Sequence, residues 1–321
     1  MAGPNHRELP DIFTYNGWSI KYETWVGESP QPTLSKTWVV FVHGTPWSSV
    51  VFRPVAGALY ATGRFNIALY DLPGYGQSQS FSSTSESRKP DTSARAQGNA
   101  LAALLKHLGL DGKDGHGRPH IVAHDIAGVI SLRAHLLHGC DYRSLCLLDT
   151  NCVLPWGDKL YNLVRSDPHV FEELPAGVFA GCLRAIIKSA RFQDQGLGPE
   201  WVDALAQPWL MGSTNTSAAS DLGDLDYSPQ KNFVRQIQQA DDSHTAELLD
   251  SNLYPHVRCD VKIIWGEEDE WIPFEKMEKL AEMLGDRLRA FVTIPDAGHL
   301  VMLDQPSRVT LEIGRWLEQQ S

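Results

Sequence analysis

What this sequence lacks closes off several destinations. No apolar run approaches the roughly 18 residues that a membrane-spanning helix needs. Met1 to Asp11 carries no apolar segment of the kind found in a secretory signal. The five cysteines, Cys140, Cys146, Cys152, Cys182 and Cys259, form no CxxC pair and no Cys/His spacing suited to a metal. An odd number in a long chain implies reduced core thiols rather than a disulfide framework. Basic residues are in the minority, 28 Lys and Arg against 39 Asp and Glu, for a net charge of −11 and a pI near 5.5. A chain without a basic field has nothing to hold phosphates, so nucleic acid is not an expected partner and the acidity reads as solubility. The final residues, Glu318 to Ser321, spell no targeting signal. A soluble cytoplasmic protein without internal repeats is the expectation.

What is present is ordinary globular material. Apolar residues make up 42% of the chain and charged residues 21%, the usage of a packed domain. Six short apolar runs, rich in β-branched and aromatic residues, read as buried strands: Trp38–Val42, Asn66–Tyr70, His120–Ala123, Ser144–Leu148, Val261–Trp265 and Arg289–Ile294. Helical spacing of apolar residues marks Ala94–Leu108, Ala127–His138, Phe274–Leu284 and Pro306–Glu318. Strands alternating with helices predict an α/β fold, a mostly parallel sheet covered on both faces. The alternation stops between Pro155 and Val257, where Asp158–Val164, Ala176–Ser189 and Gln230–Leu249 look helical and no strand is evident. The chain therefore divides into a core of residues 1–154 and 258–321 with an inserted helical cap of residues 155–257. Ser80–Ser93, Asp111–Pro119 and Gly212–Pro229 read as loops, and the last two, rich in Gly, Ser and Asp, are expected to be mobile.

In an open parallel sheet, ligands bind beyond the carboxyl ends of the strands. The residues just after the predicted strands are His43-Gly44-Thr45-Pro46, His124-Asp125-Ile126-Ala127-Gly128, Gly266-Glu267-Glu268-Asp269 and Asp296-Ala297-Gly298-His299. Ala123-His124-Asp125-Ile126-Ala127-Gly128 has small residues around a central Asp, between a strand and a helix. That is the pattern of a nucleophile elbow, written G-x-S-x-G, with Asp125 at the serine position. Asp125 could instead merely cap the helix that follows. An acid and a histidine arriving from later strand ends favour chemistry.

These motifs resemble the α/β-hydrolases, in the Asp-nucleophile branch that includes epoxide hydrolases and haloalkane or haloacetate dehalogenases. His43-Gly44-Thr45-Pro46 is similar to the HGxP motif of epoxide hydrolases, and Asp71-Leu72-Pro73-Gly74-Tyr75-Gly76-Gln77-Ser78 to the D-x-x-G-x-G-x-S loop. Trp265-Gly266-Glu267-Glu268-Asp269 is similar to the WGxxD acid turn, and Gly298-His299 to the histidine turn. The resemblance covers roughly Trp38–Leu154 and Val261–Leu317.

The resemblance implies a cofactor-independent hydrolase of a small molecule, a monomer or homodimer, with Asp125, His299 and Asp269 as catalytic residues. The carboxylate of Asp125, favoured by the helix N-terminus behind it, would displace at an sp³ carbon and form an alkyl ester. His299, oriented by Asp269, would activate the water that hydrolyses the ester. The N–H groups of Thr45 and Ile126 would form the oxyanion hole. Asp149, after the fourth run, occupies the place where some dehalogenases carry the acid, and Glu267, Glu268 and Glu270 are near. His124 should point away from the site and pack.

The substrate is less specified. Ile126 stands where haloalkane dehalogenases resemble one another in carrying Trp and fluoroacetate dehalogenases in carrying Arg, which counts against both. In Asn232-Phe233-Val234-Arg235, Val234 takes the place of a tyrosine the family often has in its cap. Tyr161, Tyr227 and Tyr254 are the remaining candidates for a leaving-group donor, with Tyr161 preferred. Trp47 and Trp156 are expected to line the pocket. An epoxide hydrolase is the leading expectation. The alternatives are a haloacid or haloalkane dehalogenase, and an ester or lactone hydrolase or a lyase or cyclase in which Asp125 is not a covalent nucleophile. A non-catalytic ligand-binding relative stands last.

Overall fold

The computed structural model describes residues 4, 7–27, 36–83, 89–157, 159–192, 198–211 and 228–320. Eight strands, β1 (Asp11–Tyr15), β2 (Trp18–Trp25), β3 (Thr37–Val42), β4 (Phe65–Tyr70), β5 (His120–His124), β6 (Ser144–Leu148), β7 (Asp260–Gly266) and β8 (Leu288–Ile294), form one sheet. Their order is β1-β2-β4-β3-β5-β6-β7-β8. Strand β2 runs antiparallel to both neighbours and every other pairing is parallel. The six predicted strands are all present. The β1–β2 hairpin was not among them, because its exposed first strand (Asp-Ile-Phe-Thr-Tyr) has no apolar run. Its local signal is the turn Asn16-Gly17, both at positive φ, between Tyr15 and Trp18.

Among the described residues the helices are α1 (Arg53–Ala61), α2 (Ala94–His107), α3 (Ala127–Leu136), α4 (Lys159–Ser166), α5 (Pro168–Glu172), α6 (Ala176–Ser189), α7 (Pro199–Leu210), α8 (Pro229–Gln239), α9 (Ser243–Asp250), α10 (Phe274–Leu284), α11 (Val301–Asp304) and α12 (Pro306–Gln319). None is long and apolar enough to cross a membrane. The single helix expected over Gln230–Leu249 is two, because the chain leaves the helix at Ala240 and restarts after Asp242. The Gly212–Pro229 loop falls mostly on 212–227, and the predicted start of the first inserted helix on Asp158; both lie outside the described residues. The Asp111–Pro119 loop is fastened by Gly112 N–H on Gly117 O and by His116 Nδ1 2.6 Å from Asp111 Oδ1. Four of the cysteines are buried as expected, but Cys182 on α6 is exposed.

The connections fix where a ligand can sit. From β3 the chain passes through α1 to β4 on one side, whereas from β5 it passes through α3 to β6 on the other. Right-handed crossovers then place α1 on one face and α3 on the opposite face, and leave a crevice between the ends of β3 and β5. The register brings the strand ends level: His124 pairs with Leu148, and Leu148 with Ile264. The ladder runs one residue further, with Asp125 N–H on Leu148 O and Asp149 N–H on Ile264 O. Helices α4 to α9 are inserted between β6 and β7, and they reach back over this edge.

Candidate active site

Asp125 sits one residue past β5 with φ +55°, the left-handed turn that carries an elbow residue up from the sheet. The close fit around it explains the small neighbours. A Cβ at Gly44 would lie 2.5 Å from Asp125 Cβ, and one at Gly128 would fall 1.7 Å from Thr150 Oγ1. Asp125 Oδ2 accepts the Thr45 N–H at 2.8 Å, and the Ile126 N–H also hydrogen-bonds this carboxylate. Both groups predicted for an oxyanion hole are thus directed at Asp125 itself. Burial pushes the Asp125 pKa up, and the His299 charge and these two N–H groups oppose the rise without cancelling it.

Asp125 Oδ1 lies 4.0 Å from His299 Nε2, which has no hydrogen-bond partner among the described residues. His299 Nδ1 is 3.0 Å from Asp269 Oδ2. Asp269 Oδ1 accepts the N–H groups of Trp271 at 2.8 Å and Ile272 at 3.0 Å, so the turn that carries the acid also holds it. Asp269, not Asp149, touches the imidazole. Burial would lower the pKa of His299, but the charge and hydrogen bond of Asp269 and the charge of Asp125 outweigh it and raise the value above 6.5. His124 packs beneath, as expected, and its Nε2 donates to the His299 carbonyl at 2.8 Å.

The D-x-x-G-x-G-x-S loop frames the other side. Asp71 accepts Ser49 N–H and Gln77 N–H, and Leu72 N–H donates to His43 Nε2. The Tyr75 hydroxyl meets Thr45 Oγ1 at 2.8 Å and Gln236 Oε1 on α8 at 2.7 Å. These contacts hold Thr45 in place and identify the motif as a brace.

Over Asp125 lies a cavity of about 120 Å³, smaller than pockets that take drug-sized ligands. Its walls are mostly apolar and include Trp156, Leu160, Ile186, Phe233, Ile237 and Trp271. Tyr161 also lines it, and its hydroxyl donates to the Ala240 carbonyl while Arg165 donates to the phenol oxygen. Burial pushes the Tyr161 pKa up to about 12 against the pull of Arg165.

Three expectations need correction or limits. Trp47 is not among the described residues lining the cavity: it is buried one layer back, stacked on Trp271 at 5.8 Å. Tyr254 is buried away from the cavity with its hydroxyl on the Cys152 carbonyl, and Tyr227 lies outside the described residues. Val234 is fully buried and its neighbour Phe233 faces the cavity instead.

Trp271 was missed. Its ring stacks on His299 at 4.8 Å and 24°, and its position two residues past Asp269 was the available signal. Asn151, two residues past Asp149, was missed too; it lines the cavity and its N–H donates to the Asp125 carbonyl. Asp304 takes the N–H groups of Gly298 and Phe192 and pairs with Arg191 at 2.7 Å, which ties the His299 loop to the chain after α6.

The model of the alpha/beta hydrolase family matches residues 39–313. The chain belongs to that family. No curated protein matches the sequence. Among solved structures, an alpha/beta hydrolase fold protein from Burkholderia ambifaria is 28% identical, with a TM-score of 0.75 over 96% of this chain and 99% of that one. A thermophilic esterase from Thermogutta terrifontis is 23% identical, with a TM-score of 0.67 over 94% of each chain. A Pseudomonas aeruginosa protein provisionally named an epoxide hydrolase is 15% identical, with a TM-score of 0.65 over 98% of each. The last two share the fold, and hydrolases with different substrates therefore stand on the same frame.

The raised pKa of His299 has a consequence for stability. The group binds its proton more tightly folded than unfolded, so its contribution is fully present below pH 6.5 and is lost as pH rises through the folded value. Thermal melts of wild type and His299→Asn across pH should show the wild-type advantage shrinking as pH rises from 6.5.

Proposed function

We propose that this alpha/beta hydrolase opens an epoxide through an ester on Asp125. One observation carries the reading: Asp125 Oδ2 accepts the Thr45 N–H while Oδ1 is left facing His299 Nε2. An oxyanion hole engaged by the elbow carboxylate has no donors to spare for a substrate carbonyl, which disfavours direct ester or lactone hydrolysis. The same donors suit an intermediate in which Asp125 is itself the acyl group.

Oδ1 attacks a ring carbon, the carbon–oxygen bond breaks, and its electron pair goes to the ring oxygen. Tyr161 gives that oxygen a proton, drawn from the hydroxyl that rests on Ala240 O in the free protein. His299 Nε2 then takes a proton from water, and the hydroxide adds to the Asp125 carboxyl carbon. The negative charge forms on Oδ2, against Thr45 and Ile126. Collapse expels the alkoxide, His299 returns its proton to it, the proton left on the Asp125 carboxyl passes through solvent to the Tyr161 phenolate, and the diol leaves with both side chains restored. Helices α4 to α9 serve as the cap that excludes bulk water.

The substrate is uncharged. Among the described residues no Lys or Arg lines the cavity. Arg165 is committed to Tyr161, Asp241 and Asp242. A carboxylate bound about 4 Å from Asp125 would be repelled by about 4 kcal/mol at an effective dielectric of about 20. This weighs against haloacids.

Two experiments follow. Asp125→Ala should lower diol formation by at least about 10⁴-fold. Intact mass of His299→Gln after exposure to an epoxide should rise by one substrate mass, and a variant that stays unmodified while wild type turns over excludes the ester. Second, glycidamide should be turned over with kcat/KM at least about 100-fold above that of glycidate, as the repulsion requires; equal rates would show that an uncharged substrate is not needed.

A further inference from the structure

The loop that carries the Thr45 N–H is tied to the inserted helices at two points. Trp209 Nε1 on α7 donates to the Pro46 carbonyl at 2.8 Å. Thr45 Oγ1 lies 2.8 Å from the Tyr75 hydroxyl, which donates to Gln236 Oε1 on α8 at 2.7 Å. Tyr75 has one proton and gives it to Gln236, so Thr45 is the donor in the first of these bonds. Burial pushes the Tyr75 pKa up, which keeps that proton in place at neutral pH. The relay therefore has a fixed direction, from Thr45 through Tyr75 to Gln236. A second latch lies beside it. Asn232 Nδ2 on α8 donates to Gln79 Oε1 at 2.9 Å, and Gln79 Nε2 donates to the Pro208 carbonyl on α7 at 2.8 Å.

Gln236 is fully buried, and its Nε2 meets no acceptor among the described residues. A buried amide with unmet donors costs stability. Packing does not account for such a residue, whereas the bond to Tyr75 does. Its place on α8 gives that bond a use. Asn232 and Gln236 are one helical turn apart, and so are Phe233 and Ile237, which line the cavity over Asp125. One helix thus carries two adjacent rows, one against the ligand space and one against the loop that aims a donor at Asp125 Oδ2. We propose that Gln236 is a positioning residue: through Tyr75 it fixes the Thr45 side chain, and so holds the Thr45 N–H on the Asp125 carboxyl and couples that donor to the cap. Its contribution falls at the hydrolysis step, when negative charge builds on Oδ2 and the Thr45 N–H must stay in line with it.

The kinetic arm of the test rests on the function proposed above; the exchange arm does not. Gln236→Met keeps the length and bulk of the side chain and removes the acceptor. With glycidamide in a single turnover, intact mass should show the ester forming at the wild-type rate in this variant and hydrolysing about tenfold more slowly, the worth of one hydrogen bond. Loss of packing alone would slow both steps or neither. In the free protein, the Thr45 amide hydrogen should exchange about tenfold faster in the variant than in wild type. Tyr75→Phe cuts the relay at its middle and should give the same two changes, and adding Gln236→Met to it should change neither further. Tyr75→Phe also takes the place of Gln236→Met if the latter does not fold.

The failures are separable. If His299→Gln never takes up substrate mass while wild type turns over, the ester reading falls and Thr45 exchange decides the coupling alone. If His299→Gln traps the ester and Gln236→Met hydrolyses it at the wild-type rate, the coupling is overturned. Unchanged exchange at Thr45 overturns it in either case, as does a further loss in the double variant.

Discussion

Burying the Asp125 carboxylate is the constraint around which the rest of this site is arranged. A buried carboxylate is costly unless it is paired, and this one accepts the Thr45 N–H, has the Ile126 N–H beside it and faces the imidazole of His299. Backbone donors can be aimed so closely only if β3 and β5 end side by side, which the strand order secures. The tight approach at Gly44 and Gly128, the bracing of the Thr45 loop by Asp71 and Tyr75, and the left-handed turn at Asp125 all serve that placement.

A second layer extends the same logic away from the cavity. Asp269 is held by its own turn, His299 by the His124 ring, and the His299 loop by Asp304. Trp47 stacks on Trp271, which stacks on His299. The imidazole is thus packed against the rings of Trp271 and His124 while Nδ1 is bonded, and Nε2 has no hydrogen-bond partner among the described residues. A histidine so fixed cannot turn away, and Asp269 on Nδ1 and the charge of Asp125 raise its basicity against burial. The cavity is small because the inserted helices place bulky side chains, Phe233 and Ile237 from α8 and Leu160 from α4, directly over Asp125.

Much of this frame was legible residue by residue. Buried parallel strands are continuous apolar runs, so β3 to β8 stood out, whereas the half-exposed β1–β2 hairpin did not, despite its Asn-Gly turn. Helix α1 was not among the predicted helices, although a proline in the first turn, as at Pro54, is a helix-start signal. The break after Ala240 has no Pro or Gly to announce it. Asp125 was identifiable because it follows β5 directly, and Asp269 and His299 because their turns, Trp265–Asp269 and Gly298-His299, resemble the acid and histidine turns of a known family. Asn151 and Trp271 lie as far past their strands, three and five residues, but belong to no such turn pattern, and their position relative to the cavity depends on how each turn curls.

The sequence by itself determined the order of strands and helices, the elbow with aspartate in place of serine, and the net negative charge. These depend on local spacing and residue chemistry. Only the tertiary structure decided that Asp269 rather than Asp149 meets His299, that Trp47 stands behind the cavity instead of in its wall, and that Tyr161 spends its proton on Ala240. In each case the side chains come from segments far apart in the chain, and their contacts depend on strand order and helix packing. No local pattern records which of two buried carboxyls lies nearer an imidazole. That follows from the turns after β6 and β7, which put the Asp269 carboxyl on His299 and the Asp149 carboxyl on Gly266 N–H.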